Sequence, residues 1–499
     1  MSSQRTPPVA PPHPISETYL SPKWASGVFR IPAIIFSFWV LVFVRLPFWI
    51  VKRAFVRPRN WGWGRAVWIE LVRGFFQVQC DVGLQPGRLT REQPYKGKGV
   101  RSSFVWIPPA DHTFRVGNAA HTNLKGQAPD FEEVPAFWFA PTSKKRAEGQ
   151  GEKYTPVLND GSPGVLLYFH GGAYVTLTAR EQQDGEPLGR ELVAATLLDM
   201  LSVEYRLAGN YSFPAQLQDA ISAYVYLTND LKVPAEKIIL VGDSAGANLV
   251  LALLRYIKES HHHHKLVKPG AAILLSPWLD MVGVLSIEES AKQLDLVPTD
   301  FGQWGAKAMS YGHSKDILKT PLLSPFYDDV KSIAALLPEK TFINAGGSEV
   351  LRPEIEVYVK KALEGRATSG GKYKSPAKNE LYLQERIDGI TTEQNGITYD
   401  LTEGCPHDFA TLPITFQPEI NRFMKRVDSW LNPSTTFTIS ERDLLEIRSC
   451  WWWPRFDRLS TTPHIATTSV HEVTGPGEPL INPRHVLVGL PQAYGYHCK

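Results

Sequence analysis

Along the middle of the chain, apolar residues gather in short blocks set between stretches whose apolar positions recur at helical spacing. Residues 165–169 read Val-Leu-Leu-Tyr-Phe, and 198–205, 237–241, 271–275 and 340–344 are similar blocks. Short apolar runs ending near glycine or a polar turn predict strands covered on both faces, as in a parallel sheet. The segments 215–227, 247–257 and 354–363 carry the helical period between them. Strands alternating with helices predict an α/β body with a mostly parallel sheet and helices on both sides. A polar, Gly-rich stretch at 364–380 reads as a surface insertion, and no internal repeat is present.

The two ends depart from this pattern. Residues 1–22 are rich in Pro and Ser and read as a leader. An apolar run over 31–51 follows, broken by Arg45 and bordered by Pro32 and Pro47. About 20 apolar residues suffice to cross a bilayer, whereas a central arginine costs roughly 2.5–3.5 kcal/mol on insertion scales. The run is expected to be an uncleaved membrane anchor, spanning or lying in the interface. Lys52, Arg53, Arg57, Arg59 and Arg65 follow it, against Arg5, Lys23 and Arg30 before it, a bias that favours a cytoplasmic body. The sequon Asn210-Tyr211-Ser212 points the other way, since it is used only in a secretory lumen. The expected organisation is a leader and anchor over 1–60, a cap or linker over 61–135, a catalytic domain over 136–435 and an extension over 436–499. The extension holds Cys450-Trp451-Trp452-Trp453, readable as an interfacial patch or a packed plug.

Composition narrows the chemistry. The 499 residues carry 53 basic and 50 acidic side chains, a balance that gives no electrostatic case for nucleic acid. Four cysteines (Cys80, Cys405, Cys450, Cys498) lie far apart, which excludes a zinc module or dense disulfide framework and leaves one or two bridges open. No cofactor or metal is expected. His261–His264, between a helix and a strand, read as a solvated loop rather than a metal site.

The chemistry centres on Gly242-Asp243-Ser244-Ala245-Gly246, which follows one expected strand and opens one expected helix. That context suits a nucleophile elbow: the tight turn needs small neighbours, and it lifts the serine hydroxyl out of the sheet beside a helix N-terminus. Upstream, His170-Gly171-Gly172 ends another strand. The N–H groups of Gly171 and Gly172, with that of Ala245, are expected to form a three-donor oxyanion cradle. His170 reads as a structural hydrogen-bonder. A serine needs a base, and the base an orienting acid. Glu349 lies on the loop leaving the strand at 340–344, with Glu354 in reserve at the start of the next helix. His407, in Cys405-Pro406-His407-Asp408-Phe409, is the expected base.

These residues carry a family resemblance. His170-Gly-Gly, Tyr205-Arg206-Leu207-Ala208, Phe213-Pro214-Ala215 with Asp219, Gly242-Asp-Ser-Ala-Gly246, Ser276-Pro277-Trp278 and Pro406-His407-Asp-Phe409 occur in the order seen in the hormone-sensitive lipase family. This group of α/β-hydrolases includes arylacetamide deacetylase and the fungal steryl acetyl hydrolases. Over roughly 160–430 the resemblance implies a carboxylic ester hydrolase, with Ser244 as nucleophile, Glu349 as acid, His407 as base and Gly171, Gly172 and Ala245 as oxyanion donors. It also implies an N-terminal anchor in the endoplasmic reticulum, with the body in the lumen. Three positions depart from the family: Ala173 replaces a third glycine, Glu349 a usual Asp, and Pro353 another Asp. Aromatics over 20–135 read first as packing; as a cap near a membrane they would also suit a bulky apolar alcohol carrying a short acyl group. A serine acyltransferase or peptidase on the same fold, and a non-catalytic ligand receptor, stay open as alternatives.

Overall fold

The structure, a computed structural model, describes residues 23–58, 61–85, 100–141, 164–180, 188–208, 210–283, 294–368, 384–386 and 389–432. The leader, most of the Gly-rich insertion and the whole C-terminal extension with Cys450 and Cys498 lie outside these residues. Cys80 and Cys405 are free thiols.

Among the described residues, ten strands form one sheet: β1 Val100–Ile107, β2 Val134–Pro141, β3 Val165–Phe169, β4 Met200–Val203, β5 Ile238–Asp243, β6 Ala271–Leu275, β7 Lys340–Gly346, β8 Gln384–Arg386, β9 Gly389–Gln394 and β10 Ile397–Thr402. Their order is β1-β2-β4-β3-β5-β6-β7-β10-β9-β8. From β4 to β10 neighbours run parallel, while β1, β2, β8 and β9 add antiparallel edges. The sheet therefore starts at Val100, inside the stretch expected to be cap or linker. The antiparallel β1–β2 pair needs no crossover helix, so the alternation that revealed β3 to β7 is absent there.

The apolar blocks work as expected. In β3, Leu166 and Tyr168 face one buried layer, and Val165, Leu167 and Phe169 face the other. On the second face lie α4 (Ala215–Val225), α5 (Ala245–Glu259), α8 (Val330–Leu336) and α9 (Arg352–Thr368). On the first lie α2 (Trp63–Val82), α3 (Leu188–Thr196) and α10 (Pro413–Leu431). Period-two alternation with both faces apolar is what hides the strands from water on each side.

The apolar run forms one long helix, α1 (Gly27–Phe55), which packs along α2. Ala33 meets Val82, and Leu41 and Leu46 meet Val78. Arg45 pairs with Asp81, and Arg53 Nε donates to Glu70 Oε1 at 2.5 Å. Its other face exposes Val28, Ile31, Ile35, Phe36, Phe43, Phe48, Val51 and Phe55. His261–His264 form a short helical turn, α6, and not a loop: His264 stacks on Phe114 and Tyr256, with ring centroids 5.4 and 4.9 Å apart. Asn210, in the sequon, is exposed.

Candidate active site

The elbow forms where β5 gives way to α5. Ser244 holds φ 49° and ψ −115°, a backbone conformation that costs roughly 1–3 kcal/mol for a residue with a Cβ. Its flanking glycines are obligatory. A Cβ on Gly246 would lie 1.9 Å from the Phe169 carbonyl oxygen, and one on Gly242 2.4 Å from Gly246. Only bare backbone lets the turn close this tightly against β3. The strain raises the Ser244 side chain at the strand's C-terminal end, and Ala245 begins α5, whose N-terminus favours negative charge.

His407, on the loop after β10, approaches from the other side. Its Nε2 lies 2.9 Å from Ser244 Oγ, the distance of a hydrogen bond, and both side chains are almost fully buried. A second group competes for that nitrogen: Asp408 Oδ2 stands 3.0 Å from Nε2. Asp408 takes a left-handed backbone conformation (φ 47°), which turns its carboxylate back toward the ring of its own neighbour. Burial opposes the imidazolium. The charge and hydrogen bond of Asp408, followed by the charges of Glu349 and Asp295, nevertheless push His407 up to about 10.

Glu349 reaches the far side of the ring without closing on it. Its Oε2 is 4.0 Å from His407 Nδ1, and that nitrogen and Glu349 Oε1 have no hydrogen-bond partner among the described residues. The reason is local. Oε2 is already held by the Ser276 hydroxyl at 2.6 Å and the Gly346 N–H at 2.9 Å, so the carboxylate sits back against β7. Burial pushes Glu349 up to about 8, against the lowering influence of His407 and Ser276. Glu354, the reserve acid, is turned elsewhere. It accepts the N–H groups of Leu279 and Asp280 at 2.7 and 3.2 Å and pins the loop after β6.

The Gly-rich loop after β3 supplies fewer donors than expected. The Gly171 N–H is already given to Asp243 Oδ2 at 2.9 Å, which removes it from the three-donor cradle. A Cβ on Gly171 would lie 2.4 Å from that oxygen, so the loop is pressed onto the elbow. The Gly172 and Ala245 N–H groups donate to no other described residue. Ala173 accommodates its departure from glycine at φ 51°, and its carbonyl fits against Gly305 of α7 (Thr299–Met309), where a Cβ would come within 2.3 Å. His170 is structural, as expected: Nδ1 donates to the Gly171 carbonyl at 2.9 Å and the ring stacks on Tyr205. Burial holds it down at about 4, hence neutral.

Three groups here had no role assigned from the sequence: Ser276, Asp408 and Asp295. The wholly buried Asp295 carboxylate accepts the His407 N–H at 3.0 Å through Oδ1 and the Val350 N–H at 2.7 Å through Oδ2. One side chain thereby ties the loop of His407 to the loop of Glu349. Ser276 does the same from β6, donating to Glu349 and accepting the Asp408 N–H at 3.2 Å. Ser276 stood in a visible motif, whereas Asp295 lay in a stretch without periodicity and left no signal. A cover is made by α2 and α7: Gln79 donates to Thr176 beside the Gly-rich loop at 3.2 Å, and Phe76 packs on Phe301 at 4.8 Å.

Residues 166–372 match a family model described as the α/β hydrolase fold. An acetyl-hydrolase of Streptomyces hygroscopicus is 28% identical, over 42% of this chain and 64% of that one. An arylesterase of Saccharolobus solfataricus is 28% identical, over 42% and 65%. A putative steryl acetyl hydrolase of Schizosaccharomyces pombe is 28% identical, over 25% and 33%. The chain spans about half to two thirds of the length of the curated relatives first matched. A solved hormone-sensitive lipase from a metagenome library aligns with a TM-score of 0.48 at 19% identity, over 74% of this chain and 99% of that one.

Proposed function

We propose that the chain is a hormone-sensitive-lipase-like α/β-hydrolase, a carboxylic ester hydrolase working by two-step acyl transfer through Ser244. The observation that carries the reading is the 2.9 Å contact between Ser244 Oγ and His407 Nε2 across a strained elbow. In the first step His407 takes the hydroxyl proton as Oγ attacks the ester carbonyl. The tetrahedral oxyanion is received by the N–H groups of Gly172 and Ala245, a single strong donor being worth roughly 3–4 kcal/mol. His407 then returns the proton to the departing alcohol. Water, activated by the same imidazole, hydrolyses the acyl-enzyme.

For this cycle Glu349 acts as the acid, closing the 4.0 Å gap to Nδ1 as imidazolium forms. Charge pairing in a water-poor site makes that closure favourable. Asp408 leaves Nε2 when a substrate occupies the elbow, since Nε2 must face Oγ and the leaving group. The proposed substrates are short-acyl esters of bulky apolar alcohols, delivered from a membrane that the exposed face of α1 contacts. The reading places the protein in the endoplasmic reticulum with its body in the lumen, where the exposed Asn210 is accessible to glycosylation.

Hydrolysis of p-nitrophenyl acetate and p-nitrophenyl octanoate by the full chain tests the activity. The acetate is turned over faster, and Ser244→Ala lowers kcat by about 10⁴-fold or more. A wild-type rate equal to that of Ser244→Ala would overturn the proposal.

A further inference from the structure

A separate cavity of about 330 Å³ opens where the C-terminal end of α1 meets α2 and the start of α7, and none of its lining residues belongs to the site above. Lys52, Arg53 and Arg73 bring positive charge to its wall, Glu70 and Asp300 negative, leaving one positive charge in excess. Arg53 is the unusual member. It is 2% exposed, its Nε is given to Glu70, and its Nη1 and Nη2 have no hydrogen-bond partner among the described residues. Leaving buried charged donors unmade is costly, and a planar guanidinium pairs best with a two-pronged oxyanion.

The surrounding groups complete an anion cradle. Lys52, on the adjacent turn position, is half-buried. Arg73 Nη1 stands 4.0 Å from Glu70 Oε2, so Glu70 is shared between two guanidinium groups. Pro298 and Thr299 present the N-terminus of the 11-residue α7 to the cavity with no side-chain cap on its first N–H groups. Asp300 opposes the anion, but it accepts from Gln77 at 3.2 Å. The position matters as much as the charge: the exposed Phe48, Val51 and Phe55 lie on the same end of α1.

We propose that this cavity binds a phosphate-class oxyanion, with Arg53 turning Nη1 and Nη2 onto it and Lys52 and Arg73 completing the contact. Its place beside an exposed apolar face makes the headgroup of an anionic phospholipid the fitting source, with the acyl chains lying along Phe48, Val51 and Phe55. Free inorganic phosphate offers the same chemistry, and the test separates the two. The inference does not depend on the esterase reading.

The test follows binding to the full chain in a neutral detergent by tryptophan fluorescence, since Trp49 lines the cavity and the Trp61 ring lies 5.5 Å from the Arg53 guanidinium. Dihexanoyl phosphatidic acid, dihexanoyl phosphatidylcholine and inorganic phosphate are titrated separately. Saturable binding of phosphatidic acid, weakened about tenfold (~1.4 kcal/mol) by Arg53→Gln and by Lys52→Gln, is expected. The Lys52 side chain makes no hydrogen bond or ion pair with a described residue, so Lys52→Gln decides if Arg53→Gln fails to fold. Binding of inorganic phosphate alone, with the same loss in the variants, supports the site and assigns its ligand to solution. No saturable binding of either probe, equal binding of phosphatidylcholine, or unchanged affinity in both variants overturns the proposal.

Discussion

Asp295 and His407 are joined by a hydrogen bond from the His407 N–H to Asp295 Oδ1 at 3.0 Å, while the other oxygen of the same carboxylate holds Val350, the residue after Glu349. The proposed base and acid come from loops after β10 and β7, and this buried carboxylate ties the two loops together. Asp295→Asn keeps the shape but turns an NH₂ toward part of a set of three N–H donors, those of His407, Val350 and Leu296. A lost charge-assisted bond of about 1.5–3 kcal/mol is expected to lower kcat by roughly 10- to 100-fold. Because Asp295 positions the base and touches no substrate, KM for p-nitrophenyl acetate stays near the wild-type value. A proportional rise in KM at constant kcat would contradict the assignment.

Asp408 is expected to influence where His407 gives up its proton, against the opposing effect of burial. The base must be neutral to act, so activity rises as pH rises through the His407 pKa, which Asp408 raises and burial lowers. Removing the Asp408 charge lets burial prevail. Asp408→Asn is therefore expected to move the rising limb of the kcat/KM profile to lower pH. A limb that stays in place, or moves upward, would show that Asp408 does not govern the proton.

The outer face of α1 predicts where the protein resides. Phe36, Phe43 and Phe48 are 59%, 64% and 65% exposed and make little contact with the body. Replacing all three with Glu is expected to release the protein from the membrane fraction. The inner contacts of Arg45 and Arg53 are untouched, so stability changes by only about 0.5 kcal/mol per site, as for other surface changes. Retention in the membrane fraction after carbonate extraction would contradict the role given to this face.

Much of this architecture was legible because parallel strands and their helices write two different periods into the chain. The strands at 165–169 and 271–275 coincide with β3 and β6, and the elbow lies between β5 and α5 as its glycines required. The antiparallel β1 lay among aromatics that read as cap or linker, and β2 straddled the expected start of the catalytic domain. At the site, chain order was enough to nominate Ser244 and His407, which the fold brings within hydrogen-bond distance. It was not enough to show that Gly171 gives its N–H to Asp243, or that Glu349 is drawn back by Ser276. Such facts depend on which oxygen reaches which donor across the sheet, and sequence spacing carries no information about that. Asp295 is the extreme case: its importance lies wholly in burial between two loops distant in sequence.

The central claim is that Ser244 is a nucleophile activated by His407, and covalent labelling with an alkyl fluorophosphonate tests it most directly. Mass spectrometry of the digested, full-length protein is expected to find one phosphonylated residue, Ser244, with labelling slowed by about 10³-fold or more in His407→Ala. Labelling at another serine, or equal labelling of wild type and His407→Ala, would contradict it.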